Sequence, residues 1–305
     1  MLFPGRALTG KLTVADIGIL PDWDGAQGYD VLEDADAAAL LPERAMDAHK
    51  GSFGRVLSIA GSEGMAGAAC LCAGAALRAG AGLVTAACAF PVLGALQANV
   101  PCATARVVSD GSALSEDAAQ ELLALAQKAS ALAIGPGLSQ DEGVYKAIAP
   151  LMQSDIPKVI DADALNLLAR YGGGVGDNTV LTPHPAEMAR LCGASVEEVL
   201  AAPVETAQEL ALELGACVLL KGATTVIAQG EDVALNVTGC SAMATGGSGD
   251  VLTGVIAGLL AQGMPPFDAA RVGAFYHGRA GEAASATKGE RAVTAADVMT
   301  HLRIE

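Results

Sequence analysis

The feature that most constrains this chain is where its polar punctuation falls. From residue 49 onward, short β-rich runs each end in a cluster of Gly, Pro or polar residues, and a helical stretch follows. Residues 55–60 form a buried-type apolar run, followed by a small-residue helical stretch over 67–79 and a second run at 83–88. The run at 131–134 ends in Gly135-Pro136-Gly137, and that at 158–160 in Asp161-Ala162-Asp163. Residues 180–181 lead into Thr182-Pro183-His184-Pro185, and residues 217–220 into Lys221-Gly222. Strands alternating with helices predict an α/β fold with a mostly parallel central sheet and helices on both faces. Such sheets bind ligands beyond the carboxyl ends of their strands, where these clusters lie. After an apolar run at 233–237 come a glycine-rich loop, an apolar helix over about 250–262, and helical stretches near 266–284 and 294–302.

Composition narrows the function. The chain has 305 residues, 52% hydrophobic and 17% charged, which suits a folded α/β protein and not a disordered one. Its many Ala and Gly residues predict closely packed helices and strands. A formal net charge of −16 argues against nucleic-acid or anionic-membrane partners, both of which need a basic face. A phosphate ligand would therefore have to be held by backbone dipoles and one or two placed cations. The seven cysteines lie in apolar or small-residue runs without a Cys-x-x-Cys pair and read as reduced core thiols. Residues 1–11 lack a signal-peptide pattern and no apolar run is long enough to span a membrane, so a cytoplasmic protein is expected. Residues 1 to about 45 carry one strand-like piece at 11–17 and an acidic stretch including Asp22, Asp24, Asp30 and Asp34, and read as a tail or linker.

The richest chemistry sits at Ala244-Thr245-Gly246-Gly247-Ser248-Gly249-Asp250, which runs straight into Val251-Leu252-Thr253-Gly254. The amides of Gly246, Gly247, Ser248 and Gly249 can converge on an anion, and the following helix adds its positive end. Asp250 falls where the helix begins, so it is either a helix-start acid (N-cap or first turn) or an acid/base that takes a proton from an attacking hydroxyl. The Gly-Gly-Ser-Gly before it favours the second role. No Gly-Lys-Ser/Thr follows, so this is not a P-loop.

The loop resembles the signature of the ribokinase-like superfamily, in particular its NAD(P)H-hydrate dehydratase branch. Further blocks match in order: His49-Lys50-Gly51-Ser52-Phe53-Gly54, Ala60-Gly61-Ser62, Gly67-Ala68-Ala69, Gly135-Pro136-Gly137-Leu138, Asp161-Ala162-Asp163-Ala164-Leu165-Asn166, Thr182-Pro183-His184-Pro185-Ala186-Glu187 and Lys221-Gly222. The likeness covers about residues 45–303. One block departs from it: many relatives have Gly-Asn-Pro-Gly-Met where this chain has Gly239-Cys240-Ser241-Ala242-Met243. The resemblance implies a ribokinase-like three-layer sandwich. It also implies nucleotide-dependent dehydration of hydrated NADH or NADPH, with ADP (or ATP) and Mg²⁺, by phosphorylation of the ring hydroxyl and loss of phosphate.

On that resemblance Asp250 is the catalytic base and touches the hydrate. Lys221, Gly222, Ala223, Thr224, Thr225 and Gly249 hold the nucleotide; a hairpin turn with a solvated Lys221 is the plainer alternative. His184, fixed between two prolines, contacts the hydrate. Gly137, and Gly67 with Ala68 at the first helix, permit close approach of the dinucleotide, although helix–strand packing would select small residues equally well. Asn166 and Glu187 are expected to organise Mg²⁺ only through water, since no tight carboxylate cluster is present. Asp161 and Asp163 could equally cap a helix starting near Ala164.

Residues 4–18 resemble the last strand of an NAD(P)H-hydrate epimerase domain. Residues 1–45 are therefore expected to be the end of an epimerase plus a linker, and 46–305 the dehydratase domain. The epimerase is expected to be fused in a longer protein or to act separately. The family also implies a homo-oligomer, with a tetramer one form. Two other readings remain: a small-molecule kinase of the same fold, such as a hydroxyethylthiazole kinase, and a nucleotide-binding regulator without catalysis.

Overall fold

Nine strands form one sheet in the order β3-β2-β1-β4-β5-β6-β7-β8-β9. A computed structural model describes residues 5–10, 13, 15, 17, 18 and 28–305. The strand read at 11–17 rests mainly on residues outside these, as do Asp22 and Asp24. The strands are β1 (Arg55–Ile59), β2 (Leu83–Ala89), β3 (Thr104–Ser109), β4 (Ala131–Ile134), β5 (Lys158–Ile160), β6 (Thr179–Leu181), β7 (Cys217–Leu220), β8 (Thr225–Gln229) and β9 (Asp232–Asn236). Pairing is parallel from β3 across to β7, and only β8 runs antiparallel to its neighbours. The chain order reverses between β1 and β4, the switch point where the strand-end turns of an open sheet part to leave a crevice.

Twelve α-helices are described, and they cover both faces. They are α1 (Asp34–Ala39), α2 (Ala66–Arg78), α3 (Leu93–Asn99), α4 (Ala119–Ala126), α5 (Glu142–Met152), α6 (Asp163–Tyr171), α7 (Pro185–Cys192), α8 (Val196–Ala201), α9 (Pro203–Leu214), α10 (Ser248–Ala261), α11 (Pro266–Lys288) and α12 (Ala295–Thr300). Alternate strand residues feed two cores. Cys217 and Leu219 of β7 join the core under α2, α3, α10, α11 and α12, whereas Val218 and Leu220 join the one under α4 to α9. The three-layer ribokinase-like sandwich expected from the sequence is the architecture observed.

Helix α10 is the hub of the first layer. Every residue from Val251 to Ala261 is buried, as befits a helix apolar on all sides. It can lie so deep because α2 offers small residues. A Cβ on Gly254 would fall inside the carbonyl oxygen of Cys72, and one on Gly258 would lie 2.8 Å from the Ala76 oxygen. The two backbones are thus in near contact. The helix also begins two residues earlier than the sequence suggested, which matters for Asp250.

Residues 28–45 are tied to the body of the fold. Asp30 makes a parallel bridge to Ala234, its amide donating to the Val233 oxygen at 3.0 Å and its oxygen accepting from the Leu235 amide at 2.7 Å. The free edge of β9 is covered at that point. Arg271 pairs with Asp30, and Arg279 grips both carboxylate oxygens of Asp34 at 2.9 Å. Ala37 of α1 is fully buried in the α10-side core.

Candidate active site

The site is built where β5, β6 and β7 end beneath the start of α10. Gly247 occupies the cap position and Ser248, Gly249 and Asp250 form the first turn. Asp250 is therefore not the N-cap; it is the acid of the first turn, at the third position of the helix. Among the described residues no protein acceptor takes the amides of Gly246, Gly247, Gly249 or Asp250; the Ser248 amide makes a long 3.4 Å bond to the Thr245 oxygen. A helix start with free amides is an anion-binding device. The Ser248 hydroxyl lies 3.4 Å from Nε2 of His277, a buried imidazole whose pKa burial lowers to about 4.

Below this turn lies a buried ion pair that the sequence did not disclose. Asp161, only 1% exposed, accepts from Lys221 Nζ at 2.8 Å and from Thr253 Oγ1 at 2.7 Å. Neither Asp161 nor Asp163 caps a helix as anticipated. The helix starts at Asp163 after Ala162, and Asp163 accepts from the Ser139 amide and the Gln140 side chain. Lys221 therefore stands clamped, not solvated, in the turn of the β7–β8 hairpin. Its Nζ lies 3.9 Å from Glu187 Oε2, and Gly249 of α10 rests directly above the pair. Gly222, Ala223, Thr224 and Thr225 complete the turn, with the Gly222 amide donating to Thr225 Oγ1 at 3.4 Å.

The charges set one another. Burial works against ionised Asp161, but Lys221 and the hydrogen bonds from Lys221 and Thr253 outweigh it and hold the carboxyl below its usual range. Lys221 is correspondingly raised, since Asp161 and Glu187 overcome its own desolvation. Asp250 is pushed up to about 7, first by burial and then by the negative charge of Asp161, with Lys221 opposing. Glu187 also rises to about 7, chiefly by burial. A carboxyl poised near neutrality is suited to accepting a proton and returning it.

His184 caps α7. Its Nδ1 accepts from the Ala186 and Glu187 amides, while Glu187 Oε2 accepts from the His184 amide at 2.9 Å. Burial, Lys221 and Arg190 lower the imidazole's pKa, and with Nδ1 accepting from two amides the proton of the neutral ring sits on Nε2, 3.3 Å from Glu187 Oε1. The nitrogen facing the helix is fully used; the half-exposed ring edge faces out. Gly137 and Ala68 meet each other: a Cβ on Gly137 would lie 2.9 Å from Met65 Cβ and 3.1 Å from Ala68 Cβ. One turn further along α2, Leu71 packs over Gly247, so this wall leads from the β1/β4 switch point to the glycine loop.

The residues do not form a metal cage. Asn166 Oδ1 accepts from Arg190 at 2.9 Å, Glu187 is engaged by His184, and Asp161 by Lys221 and Thr253. Among the described residues no group of three His, Cys, Asp or Glu side chains could hold a metal ion. Protein ligation of Mg²⁺ does not fit these donors, and no catalytic step is assigned to it.

A mostly parallel sheet between two layers of helices, with an anion-binding turn and a carboxyl at the head of α10, defines a ribokinase-like α/β protein. Comparison with known sequences and structures narrows this. A sequence profile described as NAD(P)H-hydrate dehydratase matches residues 56–303, and the chain belongs to that family. It is 45% identical over 308 residues to the bifunctional NAD(P)H-hydrate repair enzyme of Moorella thermoacetica, covering 98% of this chain and 58% of that protein. It is 39% identical over 247 residues to the ADP-dependent (S)-NAD(P)H-hydrate dehydratase of Neisseria meningitidis, covering 78% of this chain and 80% of that one. Among solved structures, the ADP/ATP-dependent NAD(P)H-hydrate dehydratase of Bacillus subtilis, co-crystallised with ATP and Mg²⁺, superposes with a TM-score of 0.80 at 33% identity. That match covers 91% of this chain and 97% of the Bacillus chain. The chain thus spans under two thirds of the bifunctional relative's length. No helix among the described residues is long and apolar enough to cross a membrane.

Proposed function

We propose that this chain restores NAD(P)H from its hydrate at the expense of an adenine nucleotide. The observation that carries the reading is Asp250, a carboxyl poised near neutrality in the first turn of a helix where the Gly249 and Asp250 amides have no protein acceptor, beside the clamped Lys221. Asp250 takes the proton of the ring hydroxyl as its oxygen attacks the terminal phosphoryl group of ADP, and AMP leaves. The amides of Gly246 to Gly249 and the Lys221 ammonium stabilise the charge on the transferring group. The carbon–oxygen bond then breaks, phosphate departs with the electron pair, and loss of a proton from the neighbouring carbon restores the ring double bond. His184 and the Gly137–Ala68 wall line the dinucleotide's side, and the Lys221–Thr225 turn the nucleotide's side.

The same reading takes residues 1–45 as the end of an epimerase domain plus linker, and the protein as a cytoplasmic homo-oligomer, a point light scattering decides. The activity is tested by incubating the protein with NADH or NADPH hydrate and ADP or ATP while following recovery of dihydropyridine absorbance. Recovery is expected with nucleotide and not without it, and kcat should climb with pH through a limb near 7 as Asp250 ionises. Phosphorylation of a thiazole or pyrimidine alcohol with no recovery of the hydrate would assign the chain to the kinases instead.

A further inference from the structure

We propose that Asp161 is a positioning residue for this reaction: its buried carboxylate holds the Lys221 ammonium at the foot of α10 and sets the field in which Asp250 exchanges its proton. The inference rests on the reading of Lys221 and Asp250 given above.

Four independent restraints fix Asp161. Its amide donates to the Ile134 oxygen at 3.0 Å, anchoring it to β4. Its own oxygen is packed so tightly against Gly135, at φ +131°, that a Cβ there would overlap it. The next residue, Ala162, adopts φ 51° and ψ −119°, a conformation that favours glycine. Strain of this kind persists only where the surroundings over-determine it, and it concentrates at functional sites. Finally, one carboxylate oxygen meets Lys221 and the other Thr253, which lies one turn beyond Asp250 on the same helix. Asp161 therefore joins the ends of β5 and β7 to the first turns of α10.

The geometry gives this link a purpose beyond cohesion. A lysine side chain left alone at a hairpin turn samples many rotamers, and its charge is spread accordingly. Clamped by Asp161, and so close under Gly249 that a Cβ there would lie 3.3 Å from its nitrogen, it is pre-organised beside the free amides of the glycine loop. Meanwhile the fixed negative charge of Asp161 opposes ionisation of Asp250. The charged groups felt by Asp250 are Asp161 from the β5–α6 turn, Asp163 from the start of α6 and Lys221 from the β7–β8 turn, while the Cys72 thiol approaches from α2. Removing the charge of Asp161 takes away one of the two anions that hold the Asp250 proton.

The test uses Asp161→Asn, together with Thr253→Val and Thr253→Ser, in the full chain. ADP affinity is read by calorimetry and kcat by hydrate turnover across pH. For Asp161→Asn, ADP affinity is expected to fall at least about tenfold, and the acid limb of kcat to move to lower pH by about one unit. Thr253→Val should weaken ADP about threefold with little movement of the limb, and Thr253→Ser should restore it. A purely structural Asp161 would lower Tm while leaving ADP affinity and the acid limb where they are, and that result overturns the proposal. If Asp161→Asn does not fold, the Thr253 pair decides, and equal ADP affinity in Val, Ser and the unaltered protein overturns it. If the unaltered protein binds ADP but restores no hydrate, the functional reading fails while the Asp161–Lys221 coupling is still measured by ADP affinity. Absence of ADP binding by the unaltered protein removes both.

Discussion

Asp250→Asn is expected to lower kcat for hydrate turnover by about 10³-fold while changing ADP affinity by less than about threefold. The amide keeps the shape and its place in the first turn of α10, so the free amides beside it stay in position. What it loses is the ability to take the hydroxyl proton. The same change should make the protein more stable at alkaline pH. The Asp250 carboxyl is raised to about 7 in the fold, whereas an unfolded aspartate ionises near about 4. Its contribution to stability is complete below the unfolded value and is lost as pH rises through the folded value. Above pH 7 the folded state carries a partly buried anion that it would hold more easily as a neutral group. After allowance for solvent screening, the amide should add about 1–2 kcal/mol at pH 8, a rise of a few degrees in Tm, and close to nothing at pH 4. Thermal scans at the two pH values check this. A variant that retains near-normal turnover would remove Asp250 from the role of base.

Gly254→Val should be among the most damaging single changes in the chain. The new Cβ would sit within the Cys72 carbonyl oxygen, with Ala75 Cβ at 2.8 Å and the Ala76 amide nitrogen at 3.0 Å. None of these can swing aside, because they belong to the backbone and a methyl group of a buried helix. Relief requires α10 and α2 to separate, and α10 carries Asp250 and Thr253. A loss of about 3–5 kcal/mol is expected, at the upper end for overpacking in a core. Urea titration should show a lower midpoint, and any folded fraction should have lost turnover together with stability. A substitution to Val at Gly94 of α3, where a Cβ meets no neighbour within 4 Å, is the matched control for adding the same side chain.

The strand ends were open to reading because they obey local rules. The runs at 131–134, 158–160 and 217–220 are the strands β4, β5 and β7 to the residue, since apolar runs bounded by Gly, Pro and Asp have few other ways to fold. The glycine loop was equally plain as an anion cradle. The role of Asp161 was not, because its partners Lys221 and Thr253 are 60 and 92 residues away in sequence. Nothing local separates a carboxylate that caps a helix from one that turns inward to meet a lysine. The capping by His184 did leave a signal, a glutamate three residues on at the start of a helix, in the spacing of a capping box. It was obscured because histidine is not a usual member of that motif. Asp250 sat between the two cases: its neighbours were legible, but only the observed start of α10 at Ser248 excludes the cap.

The near contact of α2 and α10 also dictates an order of events during synthesis. The two helices are some 180 residues apart, yet each is the other's principal cover, and α10 also lies across β1, β4 and β5. Until residue 261 has left the ribosome, the small-residue face of α2 and that side of β4 and β5 lack the helix that covers them. The opposite layer, α4 to α9, comes from one continuous stretch and can collapse as it emerges. Between the synthesis of α2 and that of α10, a nascent chain therefore carries a half-covered sheet, a state in which holdase chaperones have their largest target. The turn bearing Asp250 comes into being only when that exposed face is finally closed.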